Sequence, residues 1–182
     1  MLKRIDHVGI ACRDLAATVA FYTSTFGLTV VAAETNEEQG VREAMLAVAD
    51  APAGRSYVQL LEPLGPDTPV GRFLERRGEG LHHVGYGVAD IEAALATIGA
   101  TGVRLLDSRP RHGSMGASIA FLHPGDVGGV LTELVESARR QRPSSRPREP
   151  SESHQIGTPQ DAPNPPSRAG QRTERRSKPN NS

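Results

Sequence analysis

Ile5-Asp6-His7-Val8-Gly9-Ile10-Ala11-Cys12-Arg13-Asp14-Leu15 returns as Leu81-His82-His83-Val84-Gly85-Tyr86-Gly87-Val88-Ala89-Asp90-Ile91, an offset of 76 residues. Such internal similarity defines the unit from which the fold is built, so it takes precedence over any single element. Both copies open with a strand-like run and reach an aspartate, Asp14 or Asp90, just before an apolar helical pattern. Each carboxylate can accept from the free N–H groups of the first helical turn, which makes both aspartates N-caps. The first helix places Leu15, Val19, Tyr22 and Phe26 on one face, and the second places Ile91, Leu95 and Ile98 likewise. Gly27 and Gly99 are the expected C-terminal stops, since glycine adopts the left-handed conformation without a Cβ clash.

Strand-like runs follow the first helix at residues 28–34, 41–48 and 56–61, and the second at 103–106, 117–122 and 130–135. The last strands match as well: Tyr57-Val58-Gln59-Leu60-Leu61-Glu62 lines up with Leu131-Thr132-Glu133-Leu134-Val135-Glu136 at an offset of 74. The fold class expected is therefore α+β, with two tandem βαβββ modules at about residues 1–65 and 80–137. One helix covers one face of a four-stranded sheet and leaves the other bare, so two such sheets together should enclose a cleft reached from both modules.

Four side chains turn that cleft into a candidate metal-binding cleft. Alternation along the first strand groups Ile5, His7 and Gly9 on one face and Asp6 and Val8 on the other. The repeat puts His83 where His7 sits and Glu133 where Gln59 sits, while His82 aligns with Asp6 and is expected to point away. Taken singly, a strand histidine is usually structural. The repeat-related set of two imidazoles and two oxygen donors is different, because it leaves octahedral positions for water or substrate on Co, Mn, Ni, Fe or Zn. His112, His123 and His154 have no such relation and are left out as ligands.

Composition changes sharply near residue 138. Residues 138–182 hold ten basic against four acidic side chains, eight of the fourteen prolines and no aromatic residue, with Ile156 the only large aliphatic one. Such a segment cannot bury enough apolar surface to offset its ordering entropy and reads as a disordered basic tail. The overall neutrality thus hides a body of 11 basic and 17 acidic residues. A nucleic-acid role would rest on the tail alone, which lacks aromatics for base stacking. Cys12 is the only cysteine, which excludes an internal disulfide and suits a reducing cytoplasm. Met1-Leu2-Lys3-Arg4 runs straight into the first strand without a signal-peptide or membrane-spanning pattern, so the expectation is a soluble, cytoplasmic protein with no membrane partner.

Asp6-His7-Val8-Gly9-Ile10 and His82-His83-Val84-Gly85 within a duplicated strand–helix–three-strand module resemble the vicinal-oxygen-chelate superfamily, which includes glyoxalase I, extradiol dioxygenases and methylmalonyl-CoA epimerases. Leu60-Leu61-Glu62-Pro63, Gly80-Leu81-His82-His83, Ala120-Phe121-Leu122-His123-Pro124 and Gly128-Gly129-Val130-Leu131-Thr132-Glu133-Leu134 are most similar to the epimerase family. The resemblance covers residues 1 to about 137. It implies metal ligands at His7, Gln59, His83 and Glu133, acid/base roles for Glu43 and Glu133, and one divalent ion with cobalt first among the candidates. It also implies an acyl-CoA substrate, interconversion of (R)- and (S)-methylmalonyl-CoA through an enolate, and a homodimer. The alternatives are a glyoxalase-I-like isomerase acting on a glutathione adduct and a metal-free small-molecule-binding protein. An extradiol dioxygenase fits Gln59 poorly, because iron there normally takes two histidines and one glutamate. Arg109, Arg111, His112, Gly113 and Ser114 form a polar loop that could meet a carboxylate or phosphate, or simply be solvated.

Overall fold

The computed structural model describes residues 1–48 and 56–138; the tail reading from residue 139 onward lies outside the described residues. The element order is β1 (Leu2–Ala11), α1 (Leu15–Phe26), β2 (Leu28–Asn36), β3 (Val41–Val48), β4 (Tyr57–Pro63), α2 (Pro69–Arg77), β5 (Gly80–Val88), α3 (Ile91–Gly99), β6 (Arg111–His112), β7 (Ser118–Leu122) and β8 (Leu131–Glu136). The strands form one sheet in the order β2-β3-β4-β1-β5-β8-β7-β6, curled into a half-barrel. Within each module the first strand pairs in parallel with the last, β1 with β4 and β5 with β8. The modules join edge to edge through the antiparallel β1–β5 pair, so the cleft is the concave face of one continuous sheet.

Alternation divides each strand between two environments. Leu46, Leu60, Ala120, Leu122 and Leu134 face the helices and are buried there, against Leu15, Val19 and Tyr22 of α1 or Ile91, Leu95 and Ile98 of α3. Burial of each large aliphatic side chain contributes roughly 1.5–3 kcal/mol, so Leu95→Ala would cost about 2–5 kcal/mol. Their strand neighbours Glu43, Gln59 and Glu133 face the other way, into the concave side.

The N-caps form as the sequence implies: Asp14 accepts from Ala17 N–H and Asp90 from Ala93 N–H, both at 2.9 Å. Gly27 ends α1 in the left-handed region at φ 68°. Phe26, expected in the core, is 59% exposed and packs edge-to-face on Phe21 and Tyr22 at the helix end. Gly99 is the last residue of α3 rather than its left-handed stop; the chain tightens through Thr101 and turns at Gly102, φ 88°.

Three departures shape the concave face. Helix α2 lies between the modules where no element was read, although Thr68 caps it by accepting from Gly71 N–H and Pro69 occupies its first turn. Residues 103–106 make only an isolated bridge, Leu105 to Leu122; the edge ladder resumes at Arg111–His112. Pro110 explains the split, since it has no N–H to donate and restricts Arg109 before it. The third departure is a β-bulge in each first strand. Ile5 pairs with Tyr86 but His7 with Gly85, which leaves Asp6 as an extra residue; Gly9 pairs with His83 but Ile10 with Leu81, which leaves His82 as one. Asp6 and His7 are consequently both buried while Ile5 is half exposed, and the simple two-face alternation of this strand is corrected accordingly.

Candidate metal centre

Two rows of residues cross the join between the modules. Gln59 on β4 pairs with Gly9 on β1, which pairs with His83 on β5; His7 on β1 pairs with Gly85 on β5, which pairs with Glu133 on β8. Each glycine lies under a histidine of the opposite module. A Cβ on Gly9 would stand 2.2 Å from His83 Cε1, and one on Gly85 would stand 2.5 Å from His7 Cε1. Those two absent side chains let both rings lie over the middle of the sheet and meet.

His7 Nε2 and His83 Nε2 are 3.0 Å apart, with Glu133 Oε2 at 2.8 Å from the first and 3.5 Å from the second. His7, His83 and Glu133 are all buried and offer ligand atoms within 4.8 Å of one another. Asp6 Oδ1 sits 3.2 Å from His7 Nδ1 and favours the tautomer whose Nδ1–H donates to it. Arg4 donates to the other oxygen of Asp6 and holds the carboxylate in place. With the His7 proton on Nδ1, lone pairs of Nε2 and Glu133 Oε2 converge, and that carboxylate oxygen has no donor. Only a cation or a proton can relieve such a cluster.

The acid–base balance of the protein alone shows the same demand. Burial would push His7 down, but hydrogen bonds to Asp6 and Glu133 override it and raise its pKa to about 9. Burial would raise Glu133, yet His7 and His83 pull its pKa down to about 2. His82, the bulged neighbour of His83, is lowered to about 4 by burial and by His83, with Nδ1–Nδ1 at 3.0 Å.

Gln59 Nε2 donates to Glu43 Oε2 at 2.5 Å and to Ser114 Oγ at 2.9 Å, while Ser114 Oγ donates to Glu43 Oε1 at 2.7 Å. The amide nitrogen thus faces two acceptors, which turns Gln59 Oε1 the other way; that oxygen is buried without a donor. Glu43 is 1% exposed, and burial raises its pKa, only partly opposed by the hydrogen bond from Ser114. Ser114 belongs to a short turn whose next residue, Met115, is the only non-glycine with positive φ among the described residues. Met115 N–H donates to Glu34 Oε1 on β2, so a loop of the second module closes over the first.

All four proposed ligand positions and Glu43 therefore lie on the concave face, within the described residues. Arg109 is exposed and Arg111 pairs with Asp107 at 3.0 Å, stacked over Phe121. His112 is exposed, His123 caps the turn at Gly125, and His154 lies outside the described residues. Sequence reasoning missed Asp6 and His82 as partners of the paired histidines, although each precedes its histidine directly. The sequence leaves the Ser114 loop open between meeting a carboxylate or phosphate and being solvated, and nothing local to Ser114 singles out Glu43 as the carboxylate it meets. A cavity of about 200 Å³ opens beside His83, between Val41, Leu61, Arg111, Phe121 and Leu131.

Residues 6–121 match the model of the Glyoxalase/Bleomycin resistance protein/Dioxygenase superfamily. The chain belongs to this superfamily. Within it, the chain is 38% identical over 138 residues to the ethylmalonyl-CoA/methylmalonyl-CoA epimerase of Cereibacter sphaeroides, covering 75% of this chain and 99% of that protein. It is 36% identical over 137 residues to the mitochondrial methylmalonyl-CoA epimerase of Homo sapiens, covering 75% of each chain. A structure of a Streptomyces coelicolor methylmalonyl-CoA epimerase variant in complex with 2-nitronate-propionyl-CoA superposes with a TM-score of 0.74 at 56% identity, covering 79% of this chain and all of that one. The paired modules and the half-barrel are thus superfamily architecture, and among the described residues no helix is long and apolar enough to cross a membrane.

Proposed function

We propose that this protein is an epimerase that interconverts (R)- and (S)-methylmalonyl-CoA by moving the proton on the carbon between thioester and carboxylate. The observation that carries the proposal is the pairing, on one concave face, of a cation-seeking cluster with a buried glutamate of raised pKa. The similarity to methylmalonyl-CoA epimerases over three quarters of the chain supports the same reading.

His7, His83, Glu133 and Gln59 are the residues that would hold a divalent ion, and the orphaned Gln59 Oε1 and Glu133 Oε2 fit one. Bound there, such an ion supplies Lewis-acid stabilisation of the negative charge that builds up as the substrate proton leaves. Glu43 takes the proton. Its burial disfavours the charged carboxylate and makes it a stronger base than a solvated glutamate, while Ser114 and Gln59 hold its oxygens in one orientation. Inversion requires return of a proton on the opposite face, for which Glu133 is our second candidate. As placed, Glu133 is a weak base, because the two imidazoles depress it; it carries a proton only once its contact with them is broken. From the family resemblance we take cobalt as the first ion to try and a homodimer as the working form, and from the single cysteine, Cys12, a reducing cytoplasm as its setting.

A single epimer of methylmalonyl-CoA, incubated with the metal-loaded protein, tests this reading by circular dichroism of the thioester. Relaxation of the signal to that of the equilibrium mixture of the two epimers is expected, since the other stereocentres of coenzyme A stay unchanged. An unchanged signal alongside full metal occupancy would sink the epimerase assignment.

A further inference from the structure

We propose that His82 is the positioning residue for the second module's metal ligand: its neutral imidazole accepts the Nδ1 proton of His83 and so leaves the lone pair of His83 Nε2 facing the ion. The inference rests on the metal centre described above and adds to it a residue that acts without touching the ion. Nδ1 of His82 and Nδ1 of His83 lie 3.0 Å apart. Two ring nitrogens at that distance share one proton, so one ring donates and the other accepts. His83 Nε2 decides which. It faces His7 Nε2 at 3.0 Å and Glu133 Oε2 at 3.5 Å, where it must offer a lone pair for an ion to bind. A neutral His83 with a bare Nε2 carries its proton on Nδ1 and donates it to His82, which then keeps its own proton on Nε2. The opposite tautomer of His82 would force a proton onto His83 Nε2 and close the cluster to a cation.

The backbone places His82 for this contact. It is the extra residue of the β5 bulge as Asp6 is of the β1 bulge, and each directly precedes the histidine whose Nδ1 it meets. One device thus gives both histidines an acceptor, a carboxylate in the first module and an imidazole in the second. Both rings of the second pair are held from outside: Phe73 of α2 meets His82 edge to face with centroids 4.9 Å apart, and Phe121 meets His83 likewise at 5.7 Å. Helix α2 is therefore tied to the metal centre through Phe73 and His82. His83 is buried, so loss of the acceptor would leave its N–H without a partner and favour the tautomer that cannot bind an ion. An anionic acceptor makes an imidazole a stronger ligand than a neutral one does, which ranks the replacements that position 82 can take.

Cobalt titrated by calorimetry into the metal-free, full-length protein gives a readout that needs no turnover. His82→Phe keeps a ring against Phe73 but removes the acceptor, and it is expected to weaken cobalt binding about 10–100-fold. His82→Asn returns an acceptor oxygen near the Nδ1 position and should bring affinity back close to that of the wild type. His82→Asp repeats the arrangement of Asp6 and should bind cobalt more tightly than the wild type. Proton NMR of the cobalt-loaded protein reads the tautomer itself. Ion-shifted, exchangeable Nδ1–H signals of both His7 and His83 are expected in the wild type and in His82→Asn, with the His83 signal lost to solvent exchange in His82→Phe. Equal cobalt affinity of the wild type and His82→Phe would overturn the proposal. So would a His82→Asn protein as weak as His82→Phe, which would leave His82 a packing role alone. Failure of the metal centre looks different: the wild type then takes up no cobalt, and the role of His82 falls with it.

Discussion

Gly9 lies directly beneath the imidazole of His83, so close that any Cβ at that position would fall 2.2 Å from the ring. Its repeat mate Gly85 stands in the same relation to His7. The two modules thus exchange histidines across the β1–β5 join, and each ring needs the other module's missing side chain. Gly9→Ala and Gly85→Ala should both displace a ring. We expect losses of about 1–3 kcal/mol in stability from the overpacking and a larger loss in metal affinity, read by thermal melting and by metal titration.

Asp6 fixes the Nδ1 proton of His7 and presents Nε2 to Glu133 and His83. Asp6→Asn keeps the shape but removes the anionic partner, which for ligating histidines typically costs about 10–100-fold in metal affinity. Calorimetric titration with cobalt checks this. Undiminished affinity would remove Asp6 from the account.

The metal-free protein should show its own pH signature. His7, raised to about 9, contributes stability that is complete below its unfolded value of 6.5 and is lost as pH rises through about 9. His82, lowered to about 4, contributes stability that is complete above 6.5 and is lost as pH falls through about 4. Denaturant melts of the metal-free form should therefore show falling stability on both sides of a maximum near pH 6.5. His82→Asn should flatten the fall between pH 6.5 and about 4 and leave the loss below 4.5 that comes from Glu133, lowered to about 2; an unchanged fall above pH 4 would place that loss elsewhere.

The duplication makes much of this legible in the sequence. Aligning the copies pairs His7 with His83 and Gln59 with Glu133, and the capping aspartates mark both helix starts. The two bulges escape such reading, because period-two alternation assumes an unbroken register, and an extra residue in each strand re-aims Asp6 and His82. Ser114 escapes for another reason. It reaches Glu43 across a separation of 71 residues, on a turn strained at Met115, and no local periodicity encodes such a contact. The signals for α2 are present in Thr68, Pro69 and Gly78 and in the buried Val70 and Leu74, but the helix lies outside both copies of the repeat, so aligning the modules does not reveal it.

Buried and held by Ser114 and Gln59, Glu43 has one role in the chemistry, and Glu43→Gln isolates it, since the amide keeps the volume and loses the base. The metal-binding cluster should survive, with unchanged cobalt stoichiometry, while turnover falls by about 10²–10⁴. Loss of metal together with activity would instead make Glu43 a structural support of the site.

Proton exchange tests the central claim most directly: the metal-loaded protein is incubated with one epimer of methylmalonyl-CoA in heavy water, and the α proton is followed by NMR. The account predicts that deuterium enters the α position as stereochemical purity is lost, and that His83→Ala abolishes both. An α proton that stays in place, with purity intact and metal fully bound, would contradict it.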